Sequence, residues 1–99
     1  MTKPELDKLR KEIDEIDGQL LDLFNRRADL VLKVGQVKQQ MGLKLFDPER
    51  EEQILSAVKA KNKGPLPHQS VARLFERVID ESRFLEHNRV YKKENESES

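Results

Sequence analysis

One apolar stripe constrains this chain more than any other feature. Reading from Leu6 in steps of three and four gives Leu6, Leu9, Ile13, Ile16, Leu20, Leu23, Arg27, Leu30, Val34, Val37 and Met41. That spacing keeps one face of an α-helix apolar, and here it runs without a break in phase for most of the first half of the sequence. The spacing predicts one very long helix from about Pro4 to Gln40, roughly 55 Å at 1.5 Å per residue. Pro4 suits a first helical turn, Glu5 and Asp7 favour the positive end of the dipole, and Gly42 is a natural stop. Gly18 and Gly35 interrupt the helix at about 1 kcal/mol each relative to Ala. Either close backbone approach or an exposed, tolerant face would account for them.

Arg27 is the single charged member of the stripe. A guanidinium on a buried face is costly unless an anion or a hydrogen-bonding group meets it. So the chain holds either an internal carboxylate partner for Arg27 or a place inside a helical bundle for an anionic ligand.

Two further helices follow. Asp47-Pro48-Glu49-Arg50-Glu51 is a start signal, with Asp as N-cap, Pro in the first turn and acid beside it. This second helix turns Ile54, Leu55 and Val58 inward and ends at Asn62-Lys63-Gly64-Pro65. A third begins between Pro67 and Ser70 and carries Val71, Leu74, Phe75, Val78, Ile79, Ser82, Leu85 and Glu86 on one face. From Lys92 the sequence is polar to Ser99, and a disordered tail is expected there. No strand pattern competes, so the fold class is all-α: three helices, one of them very long, in a single domain of residues 1–91.

Composition decides what such helices can do. Of 99 residues, 35% are hydrophobic and 38% charged, which is thin for a self-sufficient core and fits a chain that shares its core with a partner. Nineteen basic and nineteen acidic residues cancel, leaving no global field to draw nucleic acid or an anionic membrane. The chain has no cysteine, and its two histidines lack spaced partners, so no metal centre is expected. The amino terminus has no apolar signal core, and no apolar run approaches membrane-spanning length. The expectation is a soluble, cytoplasmic protein.

Polar residues sit in or beside the buried faces. Arg10, Phe24, Val31 and Lys38 share one column next to the stripe, at intervals of seven or fourteen. Arg10 or Lys38 alone reads equally well as a packed stem with its head in water. Ser82 alone reads as a hydroxyl bonded back to its own helix. Glu86, beside Arg83 and Arg89, can also be read as a routine surface ion pair. Along a straight helix Arg27 and Lys38 lie roughly 16 Å apart, and Arg10 and Arg27 roughly 25 Å. No small ligand touches Arg10 and Lys38 of one copy. Two copies of the helix pairing antiparallel about a two-fold axis, and crossing around Gly18 to Phe24, bring Arg10 of one toward the Arg27–Lys38 segment of the other.

Taken together, Leu9-Arg10, Ile13, Asp17, Leu20-Leu21-x-Leu23-Phe24-x-x-Arg27, Val34-Gly35-x-x-Lys38, Asp47-x-x-Arg50-Glu51 and Leu74-Phe75 through Ser82 resemble the all-helical class of chorismate mutases. The resemblance covers roughly residues 6 to 90. It implies an intertwined helical homodimer with two shared active sites and the Claisen rearrangement of chorismate to prephenate, on the route to phenylalanine and tyrosine. No cofactor, metal or covalent intermediate is implied. By matching position, Arg10 of the partner and Arg27 would grip the two carboxylates, and Lys38 would donate to the breaking ether oxygen. Arg50 and Ser82 would help hold the substrate, with Asp47 and Glu51 at the ring hydroxyl or orienting the cations. Where many members carry Gln four residues after the serine, this chain has Glu86, which can donate only when protonated.

The physics is compatible. A dicarboxylate suits paired arginines, clamping selects a compact near-attack conformer, and a cation at the ether oxygen favours the transition state. Similar domains occur fused to prephenate dehydratase, prephenate dehydrogenase or an aldol-type synthase. The alternatives are an isochorismate-pyruvate lyase and a non-catalytic helical dimerisation module, in which the buried polar positions set register.

Overall fold

The computed structural model describes residues 2–91; the tail expected from Lys92 lies outside the described residues. The order is α1 (Lys3–Gln40), α2 (Pro48–Lys61), α3 (His68–Glu86) and a π-helical turn (His87–Tyr91), with no strand among the described residues. The all-α expectation holds, and α1 is 38 residues long.

Local chemistry explains each boundary. At the start of α1, Thr2 Oγ1 accepts from the Glu5 backbone N–H at 3.3 Å, and Glu5 Oε2 accepts from the Thr2 N–H at 3.2 Å. This reciprocal capping box satisfies two donors that a helix start leaves over. At the far end Gly42 takes φ +71. The Leu43 N–H then reaches Lys38 O at 2.8 Å and the Gly42 N–H reaches Gln39 O at 3.1 Å, a Schellman closure. Asp47 caps α2 as expected, its Oδ1 accepting from the Arg50 N–H at 3.1 Å. The C-cap of α2 is Asn62 in extended conformation, and the left-handed residue, Gly64, follows two positions later.

The chain divides into two compact units, Met1–Leu30 and Val31–Ser99. The first is α1 up to Leu30. Its apolar positions do not find cover within this single chain. Every apolar member of the stripe is exposed, from 37% at Leu6 to 66% at Met41. Arg27 is half-buried and Arg10 exposed. The second unit holds the last turns of α1, α2 packed on α3, and the π-helical turn against α3. Val71, Ile79 and Val90 are the buried apolar residues among those described. Ile54, Leu55, Val58, Phe75, Val78 and Leu85 are half-buried, whereas Leu74, expected inward, is exposed.

The two helical glycines part company. A Cβ on Gly18 would meet nothing within 4 Å, while one on Gly35 would meet Val90 and Glu86. Close approach is therefore the reason for Gly35 within this chain.

Candidate active site

Glu86 and Lys38 form the centre of the second unit's polar chemistry. Lys38 comes from the last turns of α1, and its ammonium donates to Leu45 O at 3.2 Å. That bond fixes the end of a flexible side chain with one of its three donors. Glu86 ends α3 and is buried, so the surface pair with Arg83 or Arg89 is not what forms. Its Oε2 lies 3.7 Å from Lys38 Nζ, with side-chain exposures of 10% for Glu86 and 18% for Lys38. At that distance the two attract as charges but do not share a proper hydrogen bond. Oε2 is buried and has no hydrogen-bond partner among the described residues.

Burial pushes the Glu86 carboxyl above its usual 4.5, and the facing Lys38 charge works against that shift. The result is a carboxyl that stays neutral to higher pH than a surface glutamate, beside a cation held in place. A neutral acid with an unspent oxygen and an ammonium with donors left over can both donate toward one electron-rich atom.

The other residues singled out in the sequence are placed unevenly. Ser82 Oγ donates to Val78 O at 2.7 Å, the back-bonding that a helical serine commonly makes. The Asp47 side chain is engaged in capping, and the Arg50 side chain is exposed. Glu51 is taken up by Arg83, whose Nη2 lies 3.0 Å from each carboxylate oxygen and 3.5 Å from Asp80 Oδ1. The same guanidinium sits 5.1 Å from the centre of the Phe46 ring, a cation–π contact. Arg10 and Arg27 belong to the first unit and are described there. Thus the structure brings Lys38 and Glu86 together, and it puts Asp47 and Glu51 at the start of α2.

Four residues to which pattern reading gave no task shape this region. Arg83 holds Glu51, Gln39 Nε2 donates to Val90 O at 3.2 Å, and the Tyr91 hydroxyl donates to Leu43 O at 3.2 Å. Val90 packs on Gly35. Gly35 carried the one advance signal, as a glycine where helix propensity disfavours it. A shallow groove lined by Leu45, Asp80, Arg83, Phe84 and His87 borders the Glu51 side and contains neither Lys38 nor Glu86. Among the described residues no group of three or more histidine or acidic side chains is arranged to hold a metal ion, and no helix is long and apolar enough to cross a membrane.

Comparison with known proteins gives this arrangement a context. A bifunctional chorismate mutase/prephenate dehydratase of Aquifex aeolicus is 36% identical over 86 residues, which is 83% of this chain and 24% of that protein. The chain therefore spans about a fifth to a quarter of the length of the bifunctional relatives it matches. A chorismate mutase of Methanocaldococcus jannaschii is 32% identical over 82% of this chain and 83% of its own length. The solved structure of chorismate mutase (form II) from Thermus thermophilus superposes with a TM-score of 0.84 at 34% identity, covering 86% of this chain and 97% of that one. The family model for chorismate mutase type II matches residues 9–87, and with a helical fold shared at that level of identity this chain belongs to the chorismate mutase type II family.

Proposed function

We propose that this chain catalyses the rearrangement of chorismate to prephenate in the cytoplasm, as a homodimer whose two active sites are each completed by the partner's α1. The observation that carries the reading is the buried Glu86 carboxyl facing Lys38 in a chain of this family. The reaction is a unimolecular pericyclic step, so the protein has to fold the substrate and stabilise the charge that develops. No nucleophile, metal or cofactor is called on.

Each residue then has a task. Arg27, with Arg10 from the second copy, grips the two carboxylates, for which planar guanidinium forks are well suited. Holding both arms selects the compact conformer in which the new carbon–carbon bond can form. Lys38 and protonated Glu86 donate to the ether oxygen as its bond to carbon lengthens. Their bonds strengthen as negative charge grows there, so they stabilise the transition state more than the ground state. Arg50 and Ser82 help hold the substrate, and Asp47 and Glu51 serve the ring hydroxyl or orient the cations. Residues 1–91 act as the catalytic domain.

The exposed stripe of α1 supports the dimer. Three buried apolar residues among those described do not make a core for a chain of this size, and nine exposed aliphatic side chains on one face of α1, with Met41 just past its end, require a cover. A second copy supplies the same stripe, and a two-fold axis makes the pairing self-complementary.

The test is the loss of chorismate with prephenate appearing, for wild type, Arg27→Ala and Lys38→Ala. We expect wild-type turnover to fall at least about a hundredfold in each variant, the scale of losing one preorganised charge donor, with helical content by circular dichroism retained. An inactive wild-type chain, or an Arg27→Ala variant that keeps its turnover, overturns the reading. Pyruvate released from isochorismate, with chorismate untouched, replaces it with the lyase.

A further inference from the structure

The five residues after Glu86 do not continue α3 as an α-helix. His87–Tyr91 form a π-helical turn, whose wider winding takes an extra residue and re-aims the side chains that follow. Three contacts converge from it onto the end of α1. Val90 is buried, and its Cγ2 would lie 3.3 Å from a Cβ built on Gly35. Gln39, one turn further along α1, donates its Nε2–H to Val90 O. The Tyr91 hydroxyl donates to Leu43 O, just beyond the Schellman closure. Lys38 lies within the same stretch, its ammonium tied to Leu45 O.

Glu86 is caught in this closure. Its Cγ and Oε2 would each lie 3.4 Å from a Cβ on Gly35, so its side chain runs along the bare backbone of α1 with little room to spare. A glutamate has three rotatable bonds, and packing against this closure restricts them. With Oε2 lacking a hydrogen-bond partner among the described residues, packing and the Lys38 charge direct that oxygen.

We propose that Gly35, Gln39 and Tyr91 are positioning residues: they draw the π-helical turn onto the end of α1 and thereby hold the Glu86 carboxyl at its working distance from the Lys38 ammonium. The importance of that distance for turnover rests on the proposed mutase reading. The clamp itself rests on the contacts above.

Two readouts on the full chain keep the two ideas apart. Steady-state kinetics with chorismate and an NMR titration of the Glu86 carboxyl carbon are recorded for wild type, Gly35→Ala and the double variant Gln39→Leu/Tyr91→Phe. The double variant removes two donors at nearly constant shape. We expect its kcat to fall about tenfold with KM changed less than about twofold, since a small misplacement of a reacting group reduces turnover and not ground-state binding. Its Glu86 titration should move down toward the ordinary glutamate range as water reaches the carboxyl while Lys38 still faces it. Gly35→Ala, whose Cβ would press on Val90, should act in the same direction. A double variant with both wild-type kcat and wild-type titration overturns the clamp, as does a rise in KM with kcat unchanged. If wild type shows no mutase turnover, only the activity reading fails, and the titration still decides: a shifted Glu86 supports the clamp, an unshifted one removes it.

Discussion

At the scale of single residues the chemistry depends on whether Glu86 carries its proton. Burial favours the neutral acid and Lys38 opposes it, with burial the larger influence. The carboxyl therefore titrates above its unfolded value, and two consequences follow with the same sign. Only the acid can donate, so turnover should be full at low pH and fall by about tenfold per unit once pH passes the raised value. The stability that the neutral group contributes is present below the unfolded value and is lost as pH rises through the folded one. Glu86→Gln donates at every pH and should flatten the kcat profile between about pH 5 and 8, the range open to a raised carboxyl. It should also melt higher than wild type at pH 8 and not at pH 4. Parallel profiles for the two proteins, measured as kcat against pH and as melting temperature at both ends, would remove Glu86 from the role of donor.

At the scale of elements, local signals were legible and distant ones were not. Asp47 could be read as the cap of α2 because the bond it makes spans three residues, from its own Oδ1 to the Arg50 N–H. Asp47→Ala should lower unfolding stability by about 1 kcal/mol in a denaturant titration, the usual scale for an N-cap; no change would mean that the cap bond contributes nothing. Gly42 was equally legible, since a left-handed residue after a long helix has a local cause. Glu86 was legible on the inward face of α3, and the surface pair with Arg83 or Arg89 that its basic neighbours also allowed gives way to burial beside Gly35 and Lys38. The π-helical turn left no sequence signal. It is held by bonds such as Tyr91 to Leu43, 48 positions apart. Arg83 was noticed only beside Glu86 for the same reason, its partner Glu51 being 32 positions away. The 3-4 stripe identified α1 correctly and said nothing about what covers its face.

For the whole molecule that face is the largest unanswered demand of the sequence. With Val71, Ile79 and Val90 as its buried apolar residues, the described chain has too little interior to account for a stable fold of its length. If a second copy covers α1, folding and association are one equilibrium, and the melting temperature must rise with protein concentration. Ile13 distinguishes the cases because it is 55% exposed in the single chain and is not among the residues given a task in the reaction. On a solvent-facing helix, Ile13→Glu changes stability by no more than about 0.5 kcal/mol. In a two-fold interface it buries one carboxylate from each copy against apolar side chains, and neither has a partner. We therefore expect Ile13→Glu to sediment as a monomer, to lose much of its helical signal at micromolar concentration, and to lose turnover together with the dimer. A variant that remains dimeric with full helicity would mean that the stripe meets something other than its own copy.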